Sequence, residues 1–265
     1  MRRQHPRFVL VLATPLVLAS CWLSTPPKPT SQELQTGLIL MYPGISSAPT
    51  DLINWYTALR RAGIKQAIQV VPYGLTMDLL GNLVSFERHR TWSAEEAHRI
   101  VKYMDTYPRR PVTLIGYSGG GAIAVLVAEA MPEGYLLDRV LLFSSALSSG
   151  YDLSPALDRT EKGIVHYWSS TDWLGPFFAI PLGTMDRLYE TPASTLAFDL
   201  RDERLIQFIW TPEMARYGNY GNHTDYLWNE PWVEQFVAPW VTREDGRPTW
   251  PVPAELQGRV TIAPQ

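Results

Sequence analysis

The chain of 265 residues has one cysteine, Cys21, so no internal disulfide can brace the fold. Charge is sparse at 18%, the net charge is only −3, and no basic stretch alternates with aromatic residues. That pattern argues against nucleic acid as a partner. No G-x-G-x-x-G pattern and no internal repeat occur, which leaves a dinucleotide cofactor and a repeat architecture without support. The apolar stretch Phe8–Leu18 is too short to span a bilayer as a helix. What remains is material for a large core: 46% hydrophobic residues, with 10 Trp and 13 Tyr. The length and composition suit one α/β domain with tails. The aromatic content suits contact with an apolar substrate or a lipid surface, and equally an aromatic-rich core.

The N-terminus reads differently from the rest. Arg2, Arg3 and Arg7 precede the apolar run, and Leu18-Ala19-Ser20-Cys21 follows it. Residues 1–20 therefore read as an export signal. Leu18-Ala19-Ser20-Cys21 resembles a bacterial lipobox. The resemblance implies cleavage before Cys21 and lipidation of that cysteine, and so a membrane-anchored protein of the bacterial envelope facing the periplasm or the exterior. The alternative is an ordinary signal peptide with an incidental cysteine. Removing residues 1–20 takes away three Arg and no acid, which leaves 20 basic against 26 acidic residues and a net charge of about −6. Anchoring would then rest on acyl chains rather than on attraction to anionic lipid. Residues 21–36 are rich in Pro, Ser and Thr and read as a tether. A domain is expected over residues 37–241, and an extended, Pro-rich tail over 242–265.

Within the domain, apolar runs of strand length recur at Leu38–Tyr42, Gln66–Pro72, Pro111–Ile115, Arg139–Ala146, Gly163–Trp168 and Arg204–Trp210. Helical patterns fall between them. One covers Asp51–Ala62, with Thr50 or Asp51 as its cap. A second covers Ala94–Thr106, opened by a capping box of Ser93 and Glu96. The last covers Pro231–Val241, where Pro239 should kink or end it. Strands alternating with helices predict a mainly parallel sheet of about six strands in a three-layer α/β/α sandwich. Two inserts, 73–92 and 173–200, read as a lid, a cleft wall or core packing.

The sharpest signal is Gly116-Tyr117-Ser118-Gly119-Gly120, set between an apolar strand and the Ala/Val/Leu-rich run Ala122–Ala128. Strand, tight turn and buried helix make this the context of a nucleophile elbow. Gly116 and Gly120 suit a turn with no room for side chains, and the Gly119 amide can donate to an oxyanion. A serine nucleophile needs a base and a group to orient that base. His5 lies in the signal, His98 on a surface helix, His166 in a strand, and His89 ahead of the serine in an insert. His223 alone follows the last strand, in the loop Gly218–His223, and is the candidate base. Asp172, just past the strand Gly163–Trp168, is the candidate acid, ahead of Asp199, Asp202 and Asp225. A second oxyanion donor is expected after the first strand, where Pro43-Gly44-Ile45 points to the Ile45 amide.

From Gly37 to Val241 the chain resembles the α/β-hydrolase superfamily in a compact form. Ser118, Asp172 and His223 match its nucleophile, acid and base in order and setting. Many lipases carry a His-Gly pair where this chain has Pro43-Gly44. The resemblance implies hydrolysis of a carboxylic ester or thioester through an acyl-enzyme, on a small-molecule or lipid ester, without metal or cofactor. An acyltransferase with the same three residues, and a non-catalytic envelope lipoprotein on a degenerate hydrolase fold, are the alternatives.

Overall fold

The computed structural model describes residues 25–242. The export signal, Cys21 and the tail from residue 243 lie outside the described residues. Six strands form one parallel sheet: β1 (Leu38–Tyr42), β2 (Ala67–Val70), β3 (Val112–Tyr117), β4 (Arg139–Phe143), β5 (Ile164–Trp168) and β6 (Leu205–Ile209), in the order β2-β1-β3-β4-β5-β6. Every neighbouring pair is parallel. The helices are α1 (Ser31–Leu34), α2 (Ile53–Arg61), α3 (Leu79–Val84), α4 (Phe86–Thr106), α5 (Gly119–Glu129), α6 (Ser154–Leu157), α7 (Leu174–Leu182), α8 (Asp225–Trp228), α9 (Glu230–Phe236) and α10 (Ala238–Thr242). This is the three-layer, parallel α/β/α arrangement that the alternation of runs predicts.

The central strands are apolar throughout because both of their faces are covered. Along β1, Leu38, Leu40 and Tyr42 face one core and Ile39 and Met41 face the other. The first core is built on α4, α5 and α6 and is rich in Ala, Val and Leu. The second packs α2, α9 and α10 on the sheet and holds Trp55, Phe143, Tyr167, Trp232 and Trp240. Much of the high aromatic content is therefore core. The closing helical stretch breaks at Val237, two residues before Pro239.

Three local features differ from the sequence expectation. Within the stretch read as a tether, residues 31–34 form one helical turn, because Thr30 and Glu33 make a reciprocal capping box. That turn is fastened to the domain by Arg60 on Glu33 at 2.5 Å and by the Tyr103 hydroxyl donating to the Leu34 carbonyl at 2.8 Å. Ser93 and Glu96 do not open a helix. They lie inside α4, which begins at Phe86, where no breaker interrupts it. The buried stripe of α4 includes His89, Ser93 and Glu96, and these polar residues hide its helical period in the sequence. Finally, a 3₁₀ turn, Pro49–Leu52, precedes α2, and neither Thr50 nor Asp51 caps the helix. Asp51 accepts a hydrogen bond from Ser46 instead.

Two features place the loops at the carboxyl ends of the strands. The first is the β3–α5 junction. Added to Gly116, a Cβ would overlap the Gly120 carbonyl; added to Gly120, it would overlap the Tyr42 and Pro43 carbonyl oxygens. The helix thus rests directly on backbone. The second is a clasp at Gln207 on β6. Its Oε1 accepts from the Phe198 amide at 2.8 Å and from the His166 Nδ1–H at 3.1 Å, and its Nε2 donates to the Phe198 carbonyl at 2.9 Å. The clasp fastens the return of the long insert after β5 to the sheet.

Two predictions follow from this packing. Gly120→Ala should lower unfolding stability by about 3 kcal/mol, the upper end for overpacking, since the obstacles are backbone oxygens. Urea titration checks this, and a loss below about 0.5 kcal/mol would mean that α5 can move away freely. His166 is fully buried, and desolvation pushes its pKa down to about 4. Below the ordinary histidine value of about 6.5 the unfolded chain binds a proton that the folded chain refuses. Stability should therefore fall between about pH 6.5 and pH 4, by on the order of 3 kcal/mol from this residue. Unfolding measured at both ends should show a smaller loss in His166→Gln than in the wild type; equal losses would contradict the assignment.

Candidate active site

Ser118 follows β3 and heads α5 with φ 54° and ψ −119°, a strained conformation for a residue with a side chain. Neighbouring backbone holds it there. Its amide donates to the Phe143 carbonyl at 2.9 Å, and its carbonyl accepts from the amides of Gly121 at 2.9 Å and Ala146 at 3.1 Å. The hydroxyl is left to face His223, with Oγ 2.8 Å from Nε2. The other ring nitrogen, Nδ1, lies 2.6 Å from Oδ2 of Asp172. The three residues form one hydrogen-bonded line, although 105 and 51 positions separate its pairs.

Each partner has its own support. Asp172 sits in the turn after β5, where its Oδ1 accepts from the Gly175 amide at 3.0 Å and its carbonyl accepts from the Thr195 hydroxyl at 3.1 Å. With both carboxylate oxygens engaged and the side chain buried, the acid has one orientation. The His223 loop is shaped by Gly218 and Gly221, with φ 88° and 87°. Asp225 closes it, because its Oδ2 accepts from the amides of Tyr220 at 2.9 Å and Asn222 at 3.0 Å. The Thr171 hydroxyl donates to the Gly221 carbonyl at 3.1 Å and joins the acid loop to the histidine loop. The Tyr117 hydroxyl donates to the His223 carbonyl at 3.1 Å. Burial raises the Tyr117 phenol well above its ordinary value, so it stays a donor.

The remaining candidates sit elsewhere. His89 is buried on α4 against the Asn82 carbonyl, His98 is exposed, and His166 belongs to the Gln207 clasp. Asp202 pairs with Arg204 at 2.7 Å, and Asp225 supports the loop as described.

Gly44 and Ile45 line the cavity, and the Ile45 side chain packs against Gly119 at the start of α5. The Tyr73 hydroxyl donates to the Gly44 carbonyl at 3.1 Å, and Asn82 Nδ2 donates to the Ile45 carbonyl at 2.9 Å. In a trans peptide the C=O and the following N–H point opposite ways. Holding the Gly44 carbonyl on Tyr73 therefore turns the Ile45 N–H away from Tyr73. Among the described residues neither the Ile45 nor the Gly119 amide has a protein acceptor. Both amides can therefore serve an incoming oxygen. Tyr73 and Asn82 gave no sequence signal, since polar groups in a buried insert break any apolar period. Asp225 was visible only as one more acid near the histidine.

These residues surround a cavity of about 370 Å³, within the usual range for small-molecule sites. Ser118 and His223 border it. Leu79, Leu83, Leu174 and Phe178 supply apolar wall, and Ser46 and Asp51 supply polar wall. Both long inserts thus contribute to the cavity, through α3 and α7. Among the described residues no group of three or more His, Cys, Asp or Glu is placed to hold a metal ion. No helix among them is long and apolar enough to cross a membrane.

The sequence matches no known family profile and no curated protein. Solved structures do match. Aspergillus fumigatus lipase B is 12% identical with a TM-score of 0.56, and the alignment covers 90% of this chain and 60% of the lipase. A predicted CIB-like hydrolase of Thermoplasma acidophilum is 14% identical with a TM-score of 0.48, covering 80% of this chain and 88% of that one. A lipase-esterase related protein of Clostridium acetobutylicum is 14% identical with a TM-score of 0.45, covering 75% and 92%. Together with the six-stranded parallel sheet and its flanking helices, the likeness to the Aspergillus lipase establishes that the chain has the α/β-hydrolase fold.

Proposed function

We propose that the protein is a serine hydrolase that cleaves carboxylic esters or thioesters through an acyl-enzyme. The observation that carries this reading is the line Ser118–His223–Asp172, set at the edge of a largely apolar cavity. Likeness in fold to a lipase supports it at the level of fold.

Ser118 Oγ attacks the ester carbonyl carbon while His223 Nε2 takes the hydroxyl proton. Asp172 Oδ2 accepts from the Nδ1–H, fixes the tautomer and stabilises the imidazolium. The carbonyl oxygen becomes an oxyanion and is received by the Gly119 and Ile45 amides, with the N-terminus of α5 adding its dipole. His223 then passes the proton to the leaving alcohol, which leaves an acyl group on Ser118. Water, activated by the same imidazole, releases the acid and restores the serine.

A fluorophosphonate probe should label the folded wild type and fail to label Ser118→Ala. Labelling of His223→Ala and Asp172→Asn should slow by about a thousandfold or more. A folded wild type that takes no label would overturn the reading.

Export and lipidation at Cys21 would place this activity at the bacterial envelope. The basic residues, the apolar run and Leu18-Ala19-Ser20-Cys21 support that placement. Expressed in a bacterium, the full chain should fractionate with membranes and take up radioactive palmitate. Cys21→Ser should do neither, and an unlabelled wild type would remove the anchor from the proposal.

A further inference from the structure

Resting on the ester-hydrolase reading, we infer that Asp51, with Ser46, forms a subsite for a hydrogen-bond donor, a hydroxyl or an ammonium group, on the alcohol half of the substrate. The two halves of an ester are not equivalent at this site. The leaving oxygen must sit beside His223, since it receives its proton from that ring. The alcohol half therefore lies along the wall next to the histidine loop, and the acyl half extends away from it.

That wall is built from two segments tied together. Trp55 Nε1 donates to the Tyr226 carbonyl at 2.6 Å, and Asn54 Nδ2 donates to the Leu227 carbonyl at 3.2 Å. These bonds fasten the start of α2, and the 3₁₀ turn that carries Asp51, to α8, which begins two residues after His223. Asp51, Ser46, Thr224 and Leu227 all line the cavity. Elsewhere Leu79, Leu83, Phe178 and Ala179 offer a surface suited to an acyl chain.

Asp51 supplies the only carboxylate on this cavity among the described residues. It is half-buried and receives one side-chain hydrogen bond, from the Ser46 hydroxyl. A carboxylate can accept about four. Although the residue lies in the first turn of a 3₁₀ helix, its side chain makes no cap bond, so capping does not account for it. Burial pushes its carboxyl up from the usual range, the Ser46 bond pulls it down, and no cation among the described residues offsets the burial. A carboxylate in this position gains most from a ligand that brings its own donor.

The test uses four butyrate esters as two matched pairs: hydroxyethyl against propyl, and dimethylaminoethyl against isoamyl. Within each pair the alcohols match closely in shape and differ in the donor. At pH 7 the wild type should favour the donor-bearing ester of each pair in kcat/KM by about tenfold or more. Asp51→Leu should bring both ratios to one or below. Asp51→Asn, which keeps the volume and one acceptor, should lose the ammonium preference and keep part of the hydroxyl preference. Each ratio compares two substrates on one sample, so a change in folded fraction cancels. Flat ratios in the wild type, or ratios that survive Asp51→Leu, would overturn the subsite. Fluorophosphonate labelling of the same samples separates the failures: an unlabelled wild type defeats the hydrolase reading itself, whereas a labelled enzyme with flat ratios defeats only the subsite.

Discussion

The structure depends on one close approach of backbone to backbone. Where α5 meets the sheet, the Gly120 Cα is pressed against the carbonyls of Tyr42 and Pro43, and Gly116 against the carbonyl of Gly120. No side chain larger than hydrogen fits between them. The helix is therefore drawn down until the residue joining it to β3 must adopt φ 54°. The strain at Ser118 is a product of that proximity. The surrounding sheet holds it with the Phe143 carbonyl on one side and the Ala146 amide on the other. A serine on a relaxed turn would need other means to hold its hydroxyl clear of the sheet. Here the packing of two core elements does that before any ligand arrives.

Around this fixed point the remaining groups are held by buried polar contacts rather than by regular structure. Asp172 is oriented by an amide and steadied by a hydroxyl from a distant loop. His223 is held through its carbonyl by Tyr117, the neighbour of the serine itself. Gly44 and Ile45 are turned by Tyr73 and Asn82, which come from the insert before α4. The sheet provides positions, and these second contacts provide directions. Desolvation raises the Tyr117 and Tyr73 phenols, so both donors keep their protons.

The parts legible in the sequence are those governed by local rules. All six strands announce themselves as apolar runs because each is covered on both sides. Gly116-x-Ser118-x-Gly120 is legible because a tight backbone approach admits one residue type. The order of Ser118, Asp172 and His223 pointed to three residues that the structure places in hydrogen-bonding reach. What stayed hidden is polar and buried. The stripe of α4 carries His89, Ser93 and Glu96 where an apolar period was sought, so its first two turns read as an irregular insert. Glu96 fits there because Arg99, one turn on, and Tyr42, 54 positions away, satisfy it, and no linear reading reveals the second of these partners. Tyr73 and Asn82 escaped for the same reason, whereas Asp225, weighed only as a rival acid, braces its loop through the nearby amides of Tyr220 and Asn222. The one-turn helix at Ser31 was obscured by the surrounding Pro, Ser and Thr, although its Thr30–Glu33 box was present.

The spacing of the bonded line also bears on how the molecule comes to be made. Ser118 and His223 are 105 positions apart, and the histidine follows the last strand. A ribosome emits the chain from its N-terminus, so the elbow can be in place while His223, its proton acceptor on the proposed reading, is still unmade. Through most of synthesis the serine is an ordinary alcohol on a strained turn. On the proposed reading it acquires its base only when the loop beyond β6 closes over the sheet, and incomplete chains that end before that loop carry the elbow without its partner. If Ser118 and His223 act together as proposed, the topology couples reactivity to completion of the chain.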